Sequence, residues 1–419
     1  MNEAFVHQGA GQRIQKTLLT DWYQRLEDAP AAGEKVAYLF ISGNIGELLQ
    51  ACGMHLVYPE VNALQCGIKK VAGPNILAAE DIGYSGDVCG YVKNDIGLML
   101  GGNRMPHGTG LPKPDLLVCN YAGCATYLRW FEALADFYDA EMVVVDVPYL
   151  RGMEGPTPEE VDYVEKQLRE LVTTCERVTG KKFDEAAYGA AIERTLKTEE
   201  LWVDILHSAK RHPSPLDAYF EAVFFMAPIY TMRGTPECLA YYEAVADEIE
   251  ERVARGIGPV PEEKVRIVME GPPAWPHFRR FWEMFKKWGA VTVASTYSKV
   301  GGVWDLGFRH DPARPFESMA EYMLGCYTNR NWGMRSELLR GYVDEYDADA
   351  LVIHSVKSCR SFSVGQADLR EQFIRDFEIP TLFIESDLAD PRYFAEAQMK
   401  NRIDAFFEAQ QHRRMTAGV

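Results

Sequence analysis

Short apolar runs recur along the chain, each bounded by turn-forming residues. KVAYLFI (35–41), DLLVCN (115–120), EMVVVDV (141–147), VRIVME (265–270), AVTVAS (290–295), ALVIHS (350–355) and TLFIES (381–386) read as buried strands of parallel sheet. Segments of helical period lie between many of them. Strand alternating with helix predicts an α/β fold with doubly wound sheets.

Two stretches share a layout. DLLVCN is followed by Cys124, a helix-like segment from Ala125 to Tyr138, and a strand ending at Asp146. ALVIHS is followed by Cys359, a helix-like segment from Gln366 to Phe377, and a strand ending at Glu385 and Asp387. Each cysteine lies five residues beyond its strand's last core position, Cys119 or His354. That is the carboxyl edge of a sheet, where α/β proteins build their sites. The layout predicts two α/β lobes facing one another, residues 1–156 with Cys89 and Cys124, and residues 261–419 with Cys359. Residues 157–260 are rich in helix formers and predict a mainly helical domain packed on the lobes. They contain EEVDYVEKQLRELVTTCERV and AYYEAVADEIEERVARG, both with apolar residues at three-to-four spacing. PTPEE supplies a helix start, with Thr157 as cap and Pro158 at the first helical position.

Charge narrows the function classes. Lys and Arg total 44 against 61 Asp and Glu, a net charge of −17. Such a surface repels a phosphate backbone and argues against nucleic-acid binding. An anionic ligand needs a locally basic or helix-terminus pocket. No apolar run approaches the roughly 20 residues of a membrane span. The polar N-terminus, MNEAFVHQGAGQRIQKTLLTDWYQRL, lacks the apolar core of a signal peptide. Nine scattered cysteines fit reduced thiols in a cytoplasm better than a disulfide framework.

The usual nucleotide and hydrolase signatures are missing. VTGKKF lacks the upstream glycine and following Ser or Thr of a P-loop, and no strand runs into GxGxxG. CxxC, HExxH and GxSxG do not occur. The cysteines remain. GYSGDVCGYVK puts Cys89 in a Gly- and Ser-rich turn leading into a helix. NYAGCATYLRWFE puts Cys124 after a glycine at a strand-to-helix turn. HSVKSCRSFSVGQ puts Cys359 at the matching turn of the second lobe, between Lys357 and Arg360. Turn glycines let backbone approach a bulky inorganic core, while amide N–H groups and cations stabilise thiolates. Each cysteine alone reads as a small buried hydrophobe more often than as a ligand. Three at similar strand ends bring the ligand reading level with packing. Cys119 and Cys175 fall inside an apolar strand and an amphipathic helix and read as core, whereas Cys326 is followed by a polar turn and is ambiguous. Three thiolates leave one iron of a four-iron cluster open to an exogenous ligand.

These segments carry a family resemblance. With YPEVNALQ, RHPSPLDAYF, EGPPAWPHFRRFW, STYSKVGGVWDLGFRHDP, LGCYTN and IESDLADPRYF, they resemble the larger cluster-binding subunits of ATP-dependent benzoyl-CoA reductases. These belong to the superfamily that includes the 2-hydroxyacyl-CoA dehydratases. The resemblance runs from about residue 40 to the C-terminus, nearly the whole chain. It implies a [4Fe–4S] cluster on Cys89, Cys124 and Cys359, a smaller homologous cluster-binding subunit, and ATP-hydrolysing activator subunits that hold ATP and Mg and take electrons from ferredoxin. The implied reaction is two-electron reduction of benzoyl-CoA to cyclohexa-1,5-diene-1-carbonyl-CoA. The alternatives are a 2-hydroxyacyl-CoA dehydratase subunit, eliminating water by radical chemistry, and a non-catalytic electron-relay subunit.

Ser42 (in ISGNIGELL) and Glu60 (in YPEVNA) match positions lining the substrate pocket of dehydratase relatives. Ser42 reads equally as a helix N-cap before IGELL and Glu60 as a solvated loop carboxylate. His354 is a third candidate, as proton donor or supporting group, against a satisfied core histidine.

Overall fold

The computed structural model describes residues 9–299, Gly302 and residues 304–417. The first eight residues of the polar N-terminal stretch, and Val300, Gly301 and Val303 of the STYSKVGGVWDLGF segment, lie outside the described residues.

After α1 (Ala10–Asp28), the first lobe runs β1 (Lys35–Leu39), α2 (Gly46–Ala51), β2 (Met54–Val57), α3 (Pro59–Ile68), α4 (Ala72–Asp81), α5 (Gly90–Leu100), β3 (Leu116–Tyr121), α6 (Thr126–Tyr138) and β4 (Met142–Asp146). Its four parallel strands are ordered β2-β1-β3-β4.

The middle segment folds as α7 (Pro158–Thr179), α8 (Glu185–His207), the short α9 (Ala222–Phe225) and α10 (Ala227–Thr231), and α11 (Pro236–Ala254). α7 opens with a full capping box. Thr157 accepts the Glu160 amide at 3.3 Å while Glu160 accepts the Thr157 amide at 2.8 Å.

The second lobe begins with β5 (Val265–Glu270), α12 (Phe278–Lys286) and β6 (Ala290–Ser295), then α13 (Pro315–Gly325) and α14 (Trp332–Glu345). It closes with β7 (Ala350–Val356), α15 (Arg360–Ser363), α16 (Gln366–Arg375), β8 (Thr381–Ser386) and α17 (Glu396–Ala417). Its strands are ordered β6-β5-β7-β8 and are again parallel. The two sheets therefore have one topology, as expected for an α/β fold.

The repeat reaches single residues. Asp115, just before β3, accepts the Val36 amide of β1 at 2.9 Å. Asp349, just before β7, accepts the Arg266 amide of β5 at 2.8 Å. In each sheet the chain reverses its winding between the two central strands. Such a switch point opens a crevice at the carboxyl ends, where α/β ligands bind.

The middle helices bind the lobes together. α7 packs on β4 and on α13 of the second lobe, α8 on α2, and α11 on α1. One continuous apolar core runs through both lobes and these helices. Among the described residues, no helix is long and apolar enough to cross a membrane.

β2 is the strand that the sequence pattern does not disclose. MHLV is four residues long, holds a histidine, and follows a helix end at Cys52 and Gly53 with no polar break.

Candidate functional site

Both switch points open onto one cavity of about 160 Å³ between the lobes. Ile41 and Ser42 reach it from the end of β1, Cys124 from the end of β3, Pro272 from the end of β5 and Cys359 from the end of β7. Cys89, Glu60 and Tyr127 add to its polar lining, and Tyr230, Trp275, Phe224, Leu19 and Leu64 make its walls largely apolar.

Each of the three cysteines stands at a helix N-terminus. Cys89 is the N-cap of α5, and the amides of Tyr91 and Val92 donate to its sulfur. Cys124 lies two residues before α6 and receives the Thr126 amide, with the Ser361 hydroxyl beside it. Cys359 is the N-cap of α15, with the Phe362 amide on its sulfur. These donors and the positive helix ends favour anionic sulfur. Burial works against them. It raises all three thiols, neighbouring sulfurs add repulsion at Cys89 and Cys359, and Cys359 is pushed up to about 12.

Cross-lobe bonds fix the arrangement. The Gly90 amide donates to Ser358 Oγ at 3.0 Å, tying the Cys89 turn to the Cys359 loop. Ser358 Oγ donates in turn to Asp387 Oδ2 at 2.5 Å. Ser361 Oγ donates to the Gly123 carbonyl at 3.2 Å, beside Cys124. Arg335 donates to the Ser361 and Thr328 carbonyls at 2.6 and 3.0 Å. Its charge, more than that of Lys357 or Arg360, reaches Cys359. Lys357 instead lies over the Tyr393 ring, and the Arg360 side chain is exposed.

Ser42 is buried, with its hydroxyl 3.0 Å from Thr328 Oγ1 of the opposite lobe. It is not the cap of α2, because Asn44 Oδ1 accepts the Gly46 amide instead. Asn120, inside β3, shapes this loop by donating to the Ser42 and Gly43 carbonyls at 2.6 and 3.0 Å. Glu60 sits in the first turn of α3 and not in an open loop. Its carboxylate accepts the Ile41 amide at 2.7 Å and the Tyr127 hydroxyl at 2.6 Å. Burial outweighs both bonds and pushes Glu60 up to about 7, so it can hold or release a proton near neutrality. Tyr127 stacks on Phe40 with ring centroids 3.7 Å apart, which fixes the phenol that orients Glu60.

His354 stands apart from this group. It is fully buried in β7, with Nδ1 2.5 Å from the Pro272 carbonyl and Nε2 2.6 Å from Ser386 Oγ. Burial lowers it to about 4, so the ring is neutral. It meets the cavity wall at Pro272. Cys326 is buried, 3.5 Å from Thr328 Oγ1, and does not line the cavity. Sequence reasoning does not single out Tyr127, Thr328, Ser358, Ser361 or Arg335. Thr328 lies in the LGCYTN segment and Ser358 and Ser361 in HSVKSCRSFSVGQ, so their neighbourhood is visible in the sequence but their roles are not.

Among the described residues no group of three or more His, Cys, Asp and Glu is placed to hold a metal ion. The three cysteines stand around the cavity.

The model of the 2-hydroxyglutaryl-CoA dehydratase D-component family matches residues 46–409. The chain belongs to this family. The region shared with the D-component family takes in Glu60, Cys89, Cys124, Tyr127 and Cys359 and starts just after Ser42. Among curated relatives, this family member is similar to the B component of the benzoyl-CoA reductase of Thauera aromatica. The two are 44% identical over 413 residues, covering 97% of this chain and 95% of the relative. It is also similar to the alpha subunit of the lactoyl-CoA dehydratase of Anaerotignum propionicum, 29% identical with 92% and 93% covered. The (R)-phenyllactyl-CoA dehydratase alpha subunit of Clostridium sporogenes is 28% identical, with 91% of each chain covered.

Proposed function

We propose that this chain is the larger cluster-bearing subunit of an ATP-dependent aromatic acyl-CoA reductase, which adds two electrons and two protons to benzoyl-CoA to give cyclohexa-1,5-diene-1-carbonyl-CoA. The observation that carries the proposal is the shared cavity, which combines three helix-terminal cysteines, a neutral-range carboxyl group and apolar walls. The 44% identity to a reductase subunit supports reduction over dehydration, because the two dehydratase relatives stand at 29% and 28%.

The donor set fits a [4Fe–4S] cluster held by Cys89, Cys124 and Cys359. Three half-buried thiols that burial and mutual repulsion keep protonated become thiolates together beside a cationic core, and their amide donors suit cluster sulfur. When bound, such a cluster supplies low-potential electrons and, at the iron lacking a protein thiolate, Lewis acidity.

The chain's own residues supply the rest. Apolar walls exclude water, which prolongs a charged intermediate and strengthens local electrostatics. The Ser42 hydroxyl, held by Thr328, is set to donate to the thioester carbonyl as charge develops on it. Glu60, oriented by Tyr127, carries a proton beside the cavity. His354 takes a positioning role behind Pro272.

ATP and Mg belong to activator subunits, ferredoxin is the reductant, and a smaller homologous subunit completes the cytoplasmic enzyme. Residues 1–156, 157–260 and 261–419 form its three domains, with one four-stranded sheet in each outer segment.

The test is anaerobic assay of the assembled complex with benzoyl-CoA, reduced ferredoxin and ATP. ATP hydrolysis in fixed ratio to diene formed supports the reductase. Elimination of water from a 2-hydroxyacyl-CoA with only catalytic ATP would replace it with the dehydratase. A complex whose activity survives loss of Ser42 and Glu60 together would favour the relay.

A further inference from the structure

Beside the mouth of the cavity, the outer face of α1 carries a second, shallow hollow lined by Gln12, Arg13, Gln15, Lys16 and Phe224. Gln15 and Phe224 line both hollows, so the outer one continues the inner one to the surface. Arg13 and Lys16 are three residues apart, hence neighbours on one helix face. The pair runs against the chain's net charge of −17. The two side chains make the rim of this hollow locally cationic.

The ligand's chemistry follows from the cavity. An acyl-CoA has a slender, mostly uncharged acyl-pantetheine arm and a head bearing several phosphate charges. The arm suits an apolar channel. The head does not, because burying unpaired charge is prohibitive, so its phosphates must stay at the mouth. Guanidinium and ammonium groups there meet phosphate oxygens with charge-assisted hydrogen bonds. We propose that Arg13 and Lys16, helped by the carboxamides of Gln12 and Gln15, bind the phosphates of the coenzyme A head. The thioester then passes Gln15 and Leu19 on its way to Ser42 and Cys124. Phe224, half-buried at the shared rim, offers the adenine a ring face. The proposal rests on the acyl-CoA reading above.

The test compares benzoyl-CoA with S-benzoylpantetheine, which lacks every phosphate, on the assembled complex. Each is measured as KM or, where turnover is slow, as an inhibition constant. In Arg13→Gln/Lys16→Gln the constant for benzoyl-CoA is expected to rise at least about tenfold, and that for benzoylpantetheine less than about twofold. The ionic-strength dependence of the benzoyl-CoA constant should flatten in the same variant. Lys16→Arg with Arg13 intact, which keeps both charges, should stay close to the unsubstituted complex. Equal changes for both thioesters, or none for benzoyl-CoA, would overturn the phosphate site while leaving the acyl-CoA reading intact. An unsubstituted complex that neither binds nor reduces benzoyl-CoA would overturn both.

Discussion

Gly123 and Thr328 meet so closely that a Cβ on Gly123 would stand 2.2 Å from the Thr328 carbonyl oxygen. Gly123 precedes Cys124 and has φ of +69°, so only glycine suits both its backbone and its contact with the other lobe. Gly123→Ala is therefore expected to part the lobes at the cavity and to lower bound iron several-fold. Gly180→Ala is the control. Its φ is +68° with nothing within 4 Å, so it carries only the left-handed strain of about 1–2 kcal/mol. Iron analysis of both variants checks this, and equal iron in the two would rule out the contact as the cause.

In the proposed reaction Glu60, bonded to the Tyr127 hydroxyl at 2.6 Å, handles the proton. Glu60→Gln keeps the shape and an acceptor for Tyr127 but loses the acceptor for the Ile41 amide and the exchangeable proton. It is expected to lower kcat by about 10²–10⁴ while iron content is retained. Tyr127→Phe should lower kcat less, since the carboxyl group remains and only its orientation loosens. Steady-state kinetics with iron analysis separates this from a loss of fold.

Asp95 gives a pH signature of stability. It is buried in α5 and accepts the Trp130 indole N–H at 2.9 Å. Burial still pushes it from 3.8 up to about 7. Between those values the unfolded chain is ionised while the folded chain keeps its proton, so stability falls as pH rises, and the loss is complete above about 7. Asp95→Asn removes that dependence. Its thermal midpoint should exceed that of the unsubstituted protein by more at pH 8 than at pH 5, within an upper bound of about 4 kcal/mol. An equal difference at both pH values would count against it.

Arg233 holds two helices of the middle segment and the start of α2 together. It bonds Glu47 at 2.8 Å and Glu199 at 3.2 Å, and all three side chains are fully buried. Arg233→Met leaves Glu47 without a counter-charge and should cost about 3–5 kcal/mol. Adding Glu47→Gln and Glu199→Gln should return part of that stability, read as a higher thermal midpoint than the single variant.

Local signals and long-range ones are not equally legible. The strands other than β2 are visible because runs such as VRIVME and TLFIES are closed by turn residues, and the helix at Thr157 because its cap is local. Cys89, Cys124 and Cys359 stand out through turn glycines and their place at strand ends. Thr328, by contrast, reaches Ser42 across 286 residues of sequence, and its role exists only because the lobes meet. Tyr127 reads as one more apolar position of an amphipathic helix until Glu60 arrives from α3. The surroundings of His354 are of the same kind, since Pro272 and Ser386 come from neighbouring strands.

The central claim is that Cys89, Cys124 and Cys359 hold a cluster where substrate is reduced. It is tested most directly by iron and sulfide analysis of the anaerobically purified complex, with EPR before and after adding benzoyl-CoA, in unsubstituted and Cys359→Ser forms. The expected result is a spectrum perturbed by benzoyl-CoA in the unsubstituted complex, and loss of this chain's iron and of activity in the variant. Full iron and full activity in Cys359→Ser would contradict it.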